Sequence, residues 1–158
     1  MSDARLRLPQ QDGRLFLTDG GIETVLIFQE GIALPEFAAF VLLESEEGRA
    51  SLLRYFRRYL ELAAGTPGAG FVLESPTWRA GFDWGAKLGF DDAAMRRING
   101  NAIALMRELQ SEYRARVEAP IVVSGCIGPR GDGYVAGAPM THADAERVHR
   151  RQVEALAA

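Results

Sequence analysis

The stretch Leu15-Phe16-Leu17-Thr18-Asp19-Gly20-Gly21-Ile22-Glu23-Thr24 decides the fold. An apolar run followed by a carboxylate and two glycines reads as a buried strand that delivers an acid to its C-terminal edge. The glycines tolerate positive φ and let a ligand approach bare backbone. In α/β proteins that edge is where ligands bind. A strand-to-helix turn with Asp19 as a cap is the plainer alternative at this point.

The same grammar recurs twice. Phe71-Val72-Leu73-Glu74-Ser75 and Ile121-Val122-Val123-Ser124 are further apolar runs that end in polar residues. Between the first two runs, Leu52, Leu53, Phe56, Tyr59, Leu60 and Ala63 fall at helical spacing, with Arg54, Arg57, Arg58 and Glu61 on the other side. Gly65 ends that helix, and residues 66–70 make a tight connection. A second helix, capped by Asp91 or Asp92, aligns Met95, Ile98, Ala102, Leu105, Leu109 and Tyr113 and stops at Pro120. Thr141, with Asp144 three residues on, opens a last helix that turns Ala145, Val148, Val153 and Leu156 inward. Residues 23–30 can form a short helix stopped by Gly31. Residues 35–43 read only as buried, and 76–90 as a long loop.

Continuous apolar strands alternating with amphipathic helices imply a parallel sheet covered by helices. The expected fold is α/β, the first three units of a (β/α)8 TIM barrel. Its 158 residues fall short of the ~250 typical of the closed fold. Residues 1–14 are expected to be a flexible arm. Residues 15–158 are expected to be a truncated barrel domain, since the last helix reaches Ala158 without a stop signal.

Composition narrows the function classes. With 18 basic and 21 acidic side chains, the net charge of -3 leaves no footprint for nucleic acid or an anionic membrane. Hydrophobic content of 47% is ordinary for a globular protein, and no apolar run approaches the roughly 18 residues that span a bilayer. One cysteine, Cys126, excludes an internal disulfide framework and suits a reducing cytoplasm.

Few motifs carry chemistry on their own. The glycine clusters at 65–70 and 125–133 match neither the P-loop nor Gly-x-Gly-x-x-Gly. Arg130-Gly131-Asp132 reads as chance. His142 and His149 lie ~10 Å apart along one helix, too far to share a metal ion. Cys126 has no Cys/His cluster around it and reads as a buried thiol, so the chain shows no metal site of its own. Trp78, Phe82 and Trp84 either line a pocket or plug a barrel rim. Asp19 and Glu74 end strands that could be neighbours; paired carboxylates can hold an ammonium or act as acid and base. Equally, one of them could be a helix cap or pair with Arg79.

Three motifs then coincide in order, each at a strand end: Asp-Gly-Gly-Ile-Glu-Thr at 19–24, Glu-Ser-Pro-Thr-Trp-Arg-Ala at 74–80, and Ser-Gly-Cys-Ile-Gly-Pro-Arg-Gly-Asp-Gly-Tyr at 124–134. Together they resemble the N-terminal half of the homocysteine S-methyltransferase family's substrate-binding domain. The resemblance implies a zinc-dependent barrel enzyme. Zinc holds the homocysteine sulfur as a thiolate, which takes a methyl group from a sulfonium or ammonium donor to give methionine. It also implies substrate-binding roles for Asp19 (the amino group), Gly20 and Gly21 (the amino-acid backbone), and Ser75, Thr77 and Trp78 (the pocket wall). The family's zinc thiolates and a further amine-holding acid come from later strands, and Cys126 matches no ligand position. No catalytic or metal-binding residue is therefore assigned within this chain, which is expected to be inactive alone. Its expected partners are homocysteine or a related thiol and a methyl donor, with self-association through open sheet edges. The alternative is a non-catalytic fragment or a half-barrel that assembles with another chain. An unrelated enzyme using Asp19 and Glu74 as acid and base is a third.

Overall fold

The computed structural model describes residues 8–135, 137 and 139–158. Three strands form one parallel sheet in the order β1-β2-β3: β1 (Phe16–Leu17), β2 (Gly70–Glu74) and β3 (Ile121–Ser124). Phe16 is in register with Gly70, and Glu74 with Ser124. Their polar ends therefore meet at one edge of the sheet.

Parallel strands need long return connections, and helices supply them. After β1 comes a single α-helical turn, α1 (Ile22–Thr24), continued by a π-helical turn (Val25–Gln29) and closed by Gly31 at φ 67°. The segment expected only to be buried is two 3-10 turns, Pro35–Phe37 and Ala39–Glu44. Ala38, Ala39 and Phe40 are buried, whereas Pro35, Glu36 and Phe37 are exposed, and Glu36 and Phe37 both have positive φ.

The helix α2 (Glu46–Ala64) begins where the Ser45 hydroxyl accepts the Gly48 N–H, and α4 (Asp92–Tyr113) where Asp91 accepts the Ala94 N–H. Both turn their apolar stripes onto one face of the sheet. Leu52, Phe56 and Leu60 of α2 meet Leu105 and Leu109 of α4 over Phe71 and Leu73 of β2. The helices thus cover one face, while Val72 and Val122 on the other stay only half-buried.

Two expectations need correction. The loop 76–90 contains a helix, α3 (Phe82–Lys87), whose Phe82 and Trp84 are buried. Short aromatic and glycine-containing turns carry too little periodicity to announce themselves. In the last helix, α5 (His142–Ala157), Val153 faces outward at 46% exposure and Gln152 is buried in its place. Gln152 donates to the Thr77 carbonyl and the Asn99 side chain, so hydrogen bonding outweighs hydropathy there. Of the expected arm, residues 1–7 lie outside the described residues. The remainder holds a 3-10 turn, Pro9–Gln11, and Arg14 bonded to Asp12.

Two helical glycines separate propensity from packing. A Cβ at Gly100 on α4 meets nothing within 4 Å, so Gly100→Ala is expected to stabilise by about 0.5–1 kcal/mol. A Cβ at Gly48 collides with the Leu42 backbone, so Gly48→Ala is expected to destabilise by roughly 1–3 kcal/mol despite better propensity. Urea unfolding of the two variants beside the parent checks the opposite signs.

Candidate functional site

At the C-terminal edge of the sheet lies a pocket of about 280 Å³, walled by Asp19, Glu23, Glu74, Ser75, Trp78 and Cys126. A larger hollow of about 660 Å³, near Arg14, Arg114 and Pro120, lies at the opposite edge. Active sites of (β/α) folds sit at the C-terminal edge, where the loops are free to vary. The smaller pocket is therefore the candidate.

Asp19 lies two residues past the end of β1, after Thr18, and the buried Tyr55 of α2 donates to its Oδ2 at 2.6 Å. Burial pushes the Asp19 carboxyl up, and the Tyr55 bond pulls part of that back. Burial likewise drives the Tyr55 phenol up, so it remains a proton donor. Asp19 caps no helix: Gly21, at φ 79°, stands at the N-cap of α1. That left-handed backbone favours glycine. Gly20 is confined differently, since a Cβ there comes within 2.9 Å of the Tyr59 hydroxyl oxygen.

Glu23 and Glu74 complete an acidic wall. Glu23 is raised by burial first and then by Asp19 and Glu74, with Arg79 pulling it down. One of its oxygens, Oε1, is buried without a hydrogen-bond partner among the described residues. Glu74 is raised by burial and by Asp19, and partly lowered by a hydrogen bond with Cys126. The Cys126 thiol is pushed up to about 12 by burial and then by Glu74, Glu23 and Asp19. Three carboxyls and a thiol resist ionisation together, which is the electrostatic signature of a site shaped for a positive guest.

The exit loops of β2 and β3 are tied by a ring of hydrogen bonds. The Cys126 N–H donates to Ser75 Oγ at 3.0 Å, and Thr77 Oγ1 donates to the Cys126 carbonyl at 2.8 Å. Thr77's only hydroxyl proton is thereby used, so the 2.7 Å Ser75–Thr77 bond must carry the Ser75 proton. Ser75 borders the pocket with its hydroxyl engaged, whereas Thr77 is fully buried behind it. Asp19, Gly21, Ser75 and Trp78 are thus brought together at the pocket, and Gly20 and Thr77 support it from outside.

The aromatic question resolves both ways. Trp78 borders the pocket, while Phe82 and Trp84 are buried in the rim. Arg79 lies over the Trp78 and Trp84 rings, 4.7 and 3.9 Å from their centroids, and among the described residues it pairs with Asp132 rather than Glu74. Two site residues escaped the sequence reading. Glu23 stands four residues after Asp19, the separation of one helical turn, and that spacing could have marked it. Tyr55 stands three residues after Leu52 on the buried face of α2, but its bond to Asp19 spans 36 positions.

Comparisons with known proteins bear on this geometry. The sequence model of the family described as Homocysteine S-methyltransferase matches residues 16–158, and the chain belongs to that family. No curated protein sequence matched. Two solved structures of the homocysteine methyltransferase MmuM from Escherichia coli resemble the chain. The oxidized form does so with a TM-score of 0.69 and 25% identity, and the metallated form with 0.67 and 24%. The matches cover 96% and 94% of this chain but 53% and 51% of those. The chain therefore spans about half their length and has the fold of part of a TIM-barrel methyltransferase, with an open sheet.

The site's electrostatics can be measured without a ligand. A carboxyl with a raised folded pKa costs stability above that pKa, and the cost vanishes below the unfolded value. Glu23→Gln is therefore expected to raise Tm at pH 8, with the gain fading near pH 4. A gain independent of pH would contradict the burial of Glu23. For Cys126, a thiol titrating near 12 leaves little thiolate at neutral pH. Its alkylation by iodoacetamide at pH 8 is expected to run at least about 100-fold slower than for an ordinary thiol.

Proposed function

We propose that this member of the homocysteine S-methyltransferase family supplies the amino-acid-holding corner of a methyl-transfer site. In the reaction, a methyl group passes from a sulfonium or ammonium donor to the sulfur of homocysteine and gives methionine. The donor's bond to that methyl breaks with its electron pair staying on the donor. The new carbon–sulfur bond uses the pair of the thiolate.

The observation that carries this reading is the acidic pocket formed by Asp19, Glu23 and Glu74 at the strand ends. A buried carboxylate gains most from a guest that brings the missing charge and hydrogen-bond donors. An α-ammonium group does both. Asp19, oriented by Tyr55, takes the ammonium; Gly21 presents backbone to the amino-acid moiety, with Gly20 supporting it from outside the pocket; Ser75 and Trp78 wall the ligand in. Thr77 contributes through the hydroxyl ring that holds the two exit loops together.

Zinc supplies the thiolate in this family's chemistry. Among the described residues, however, no group of three or more His, Cys, Asp or Glu side chains is arranged to hold a metal ion. These residues do not fit zinc, and the chain's own part is binding and orientation. On this reading residues 15–158 are the N-terminal part of the homocysteine-binding barrel, preceded by an arm.

Calorimetric titration of the 158-residue chain with homocysteine tests the proposal. Asp19→Asn is expected to weaken binding by roughly 10- to 100-fold, because it removes a charge-assisted bond. An unchanged affinity would sink the assignment. Methionine formation from homocysteine and S-methylmethionine or glycine betaine is expected to be undetectable with this chain alone.

A second reading, the half-barrel that pairs with another chain, is favoured by β1 and β3 each lacking an outer neighbour in the sheet among the described residues. Light scattering at rising concentration is expected to reveal species heavier than the 17.3 kDa monomer. A monomer at every concentration would remove this reading.

A further inference from the structure

Arg79 poses an energetic problem that the proposed site does not use. A guanidinium carries five N–H donors that point outward in its plane. The Arg79 side chain is only 8% exposed, yet among the described residues none of those donors meets an acceptor, and Nε is fully buried and unpartnered. Its nearest carboxylate oxygen, on Asp132, is 3.9 Å from Nη2, beyond hydrogen-bond length. Its central carbon lies over the Trp78 and Trp84 rings, 4.7 and 3.9 Å from their centroids. Cation–π stacking compensates the charge in part and fixes the plane, but indole faces do not satisfy in-plane donors. A buried N–H such as that of Nε is costly to leave unpartnered, so a guest that completes the guanidinium's hydrogen bonds gains from it.

The space for that something is present. Arg79 borders a second cavity of about 420 Å³, together with Glu23, Phe37, Trp78, Asp132 and Tyr134. Glu23 and Trp78 also wall the first pocket, so the two cavities adjoin. Glu23 is close enough to Arg79 for the guanidinium charge to reach it. Positive and negative receptors therefore stand side by side across a shared wall.

We propose that Arg79 is a receptor for a ligand carboxylate, so that the adjoining cavities take a zwitterion with its cation among the acids and its carboxylate on the guanidinium. Resting on the methyl-transfer reading, the zwitterion is either the acceptor amino acid or a donor that bears a carboxylate. A planar carboxylate matches the fork of two parallel N–H groups, which lysine cannot reproduce.

Two ligand pairs separate the sources. Homocysteine is compared with 3-aminopropane-1-thiol, which lacks the carboxylate, and glycine betaine with choline, which lacks it likewise. In at least one pair the carboxylate-bearing ligand is expected to bind the wild-type chain roughly 10- to 100-fold more tightly. The pair that discriminates names the acceptor or the donor. Arg79→Met is expected to abolish the discrimination, and Arg79→Lys to restore only part of it. Circular dichroism checks that both variants fold; if the methionine variant does not, the wild-type pairs and the lysine variant decide. Equal affinities within both pairs, or full discrimination retained in a folded variant, would overturn the proposal. If none of the four ligands binds, acetate is titrated while the Arg79 Nε–H signal is followed by NMR. A saturable shift keeps the carboxylate receptor and removes the methyl-transfer reading; no shift removes the receptor.

Discussion

Parallel pairing is the constraint from which the rest of this structure follows. Strands that run the same way must be joined by crossings that travel back over the sheet, and each crossing brings an amphipathic helix onto it. Here α2 and α4 pack over Phe71 and Leu73, and every strand exit falls on the same edge. Residues that are 50 or more positions apart therefore become neighbours without any local signal that they should. Asp19, Glu74 and Cys126 meet in this way, because β2 lies between β1 and β3.

The same edge concentrates unfavourable charge. Asp19, Glu23 and Glu74 are all harder to ionise than ordinary carboxyls, chiefly because burial removes water from them. Arg79 stands nearby, buried against two tryptophans, with no hydrogen-bond partner for its Nε among the described residues. Opposite charges kept close but not joined are poor for stability, the usual trade at a site kept for something other than folding. The neutral ring of Ser75, Thr77 and Cys126 beside them is fully satisfied, and it holds the loops in place while the charged groups wait.

How much could be read from residues alone varied with the range of the interaction. The strands announced themselves through runs such as Phe71-Val72-Leu73, and the caps through Asp91 and Thr141, because those signals act within a few residues. Helix α3 was missed because its six residues complete fewer than two turns. Val153 was misplaced because helical spacing cannot tell that Gln152, beside it, has buried acceptors on three other segments. Glu23 lay inside the motif that was singled out. Its part in the pocket depends on how α1 turns, and Gly21's left-handed backbone sets that.

The sequence by itself determined the alternation of strands and helices, the acid at the end of β1 and the likeness to the homocysteine S-methyltransferase family. Each of these rests on hydrophobic period or on short motifs, which are local properties of the chain. Only the tertiary structure decided that Tyr55 holds Asp19, that Thr77 stands behind the pocket wall, and that Arg79 is buried against two indoles, its Nε without a hydrogen-bond partner among the described residues. Those facts depend on contacts between segments far apart in the chain and on the loss of water around them. Neither the partners of a buried polar group nor its dielectric surroundings is written in the residues next to it.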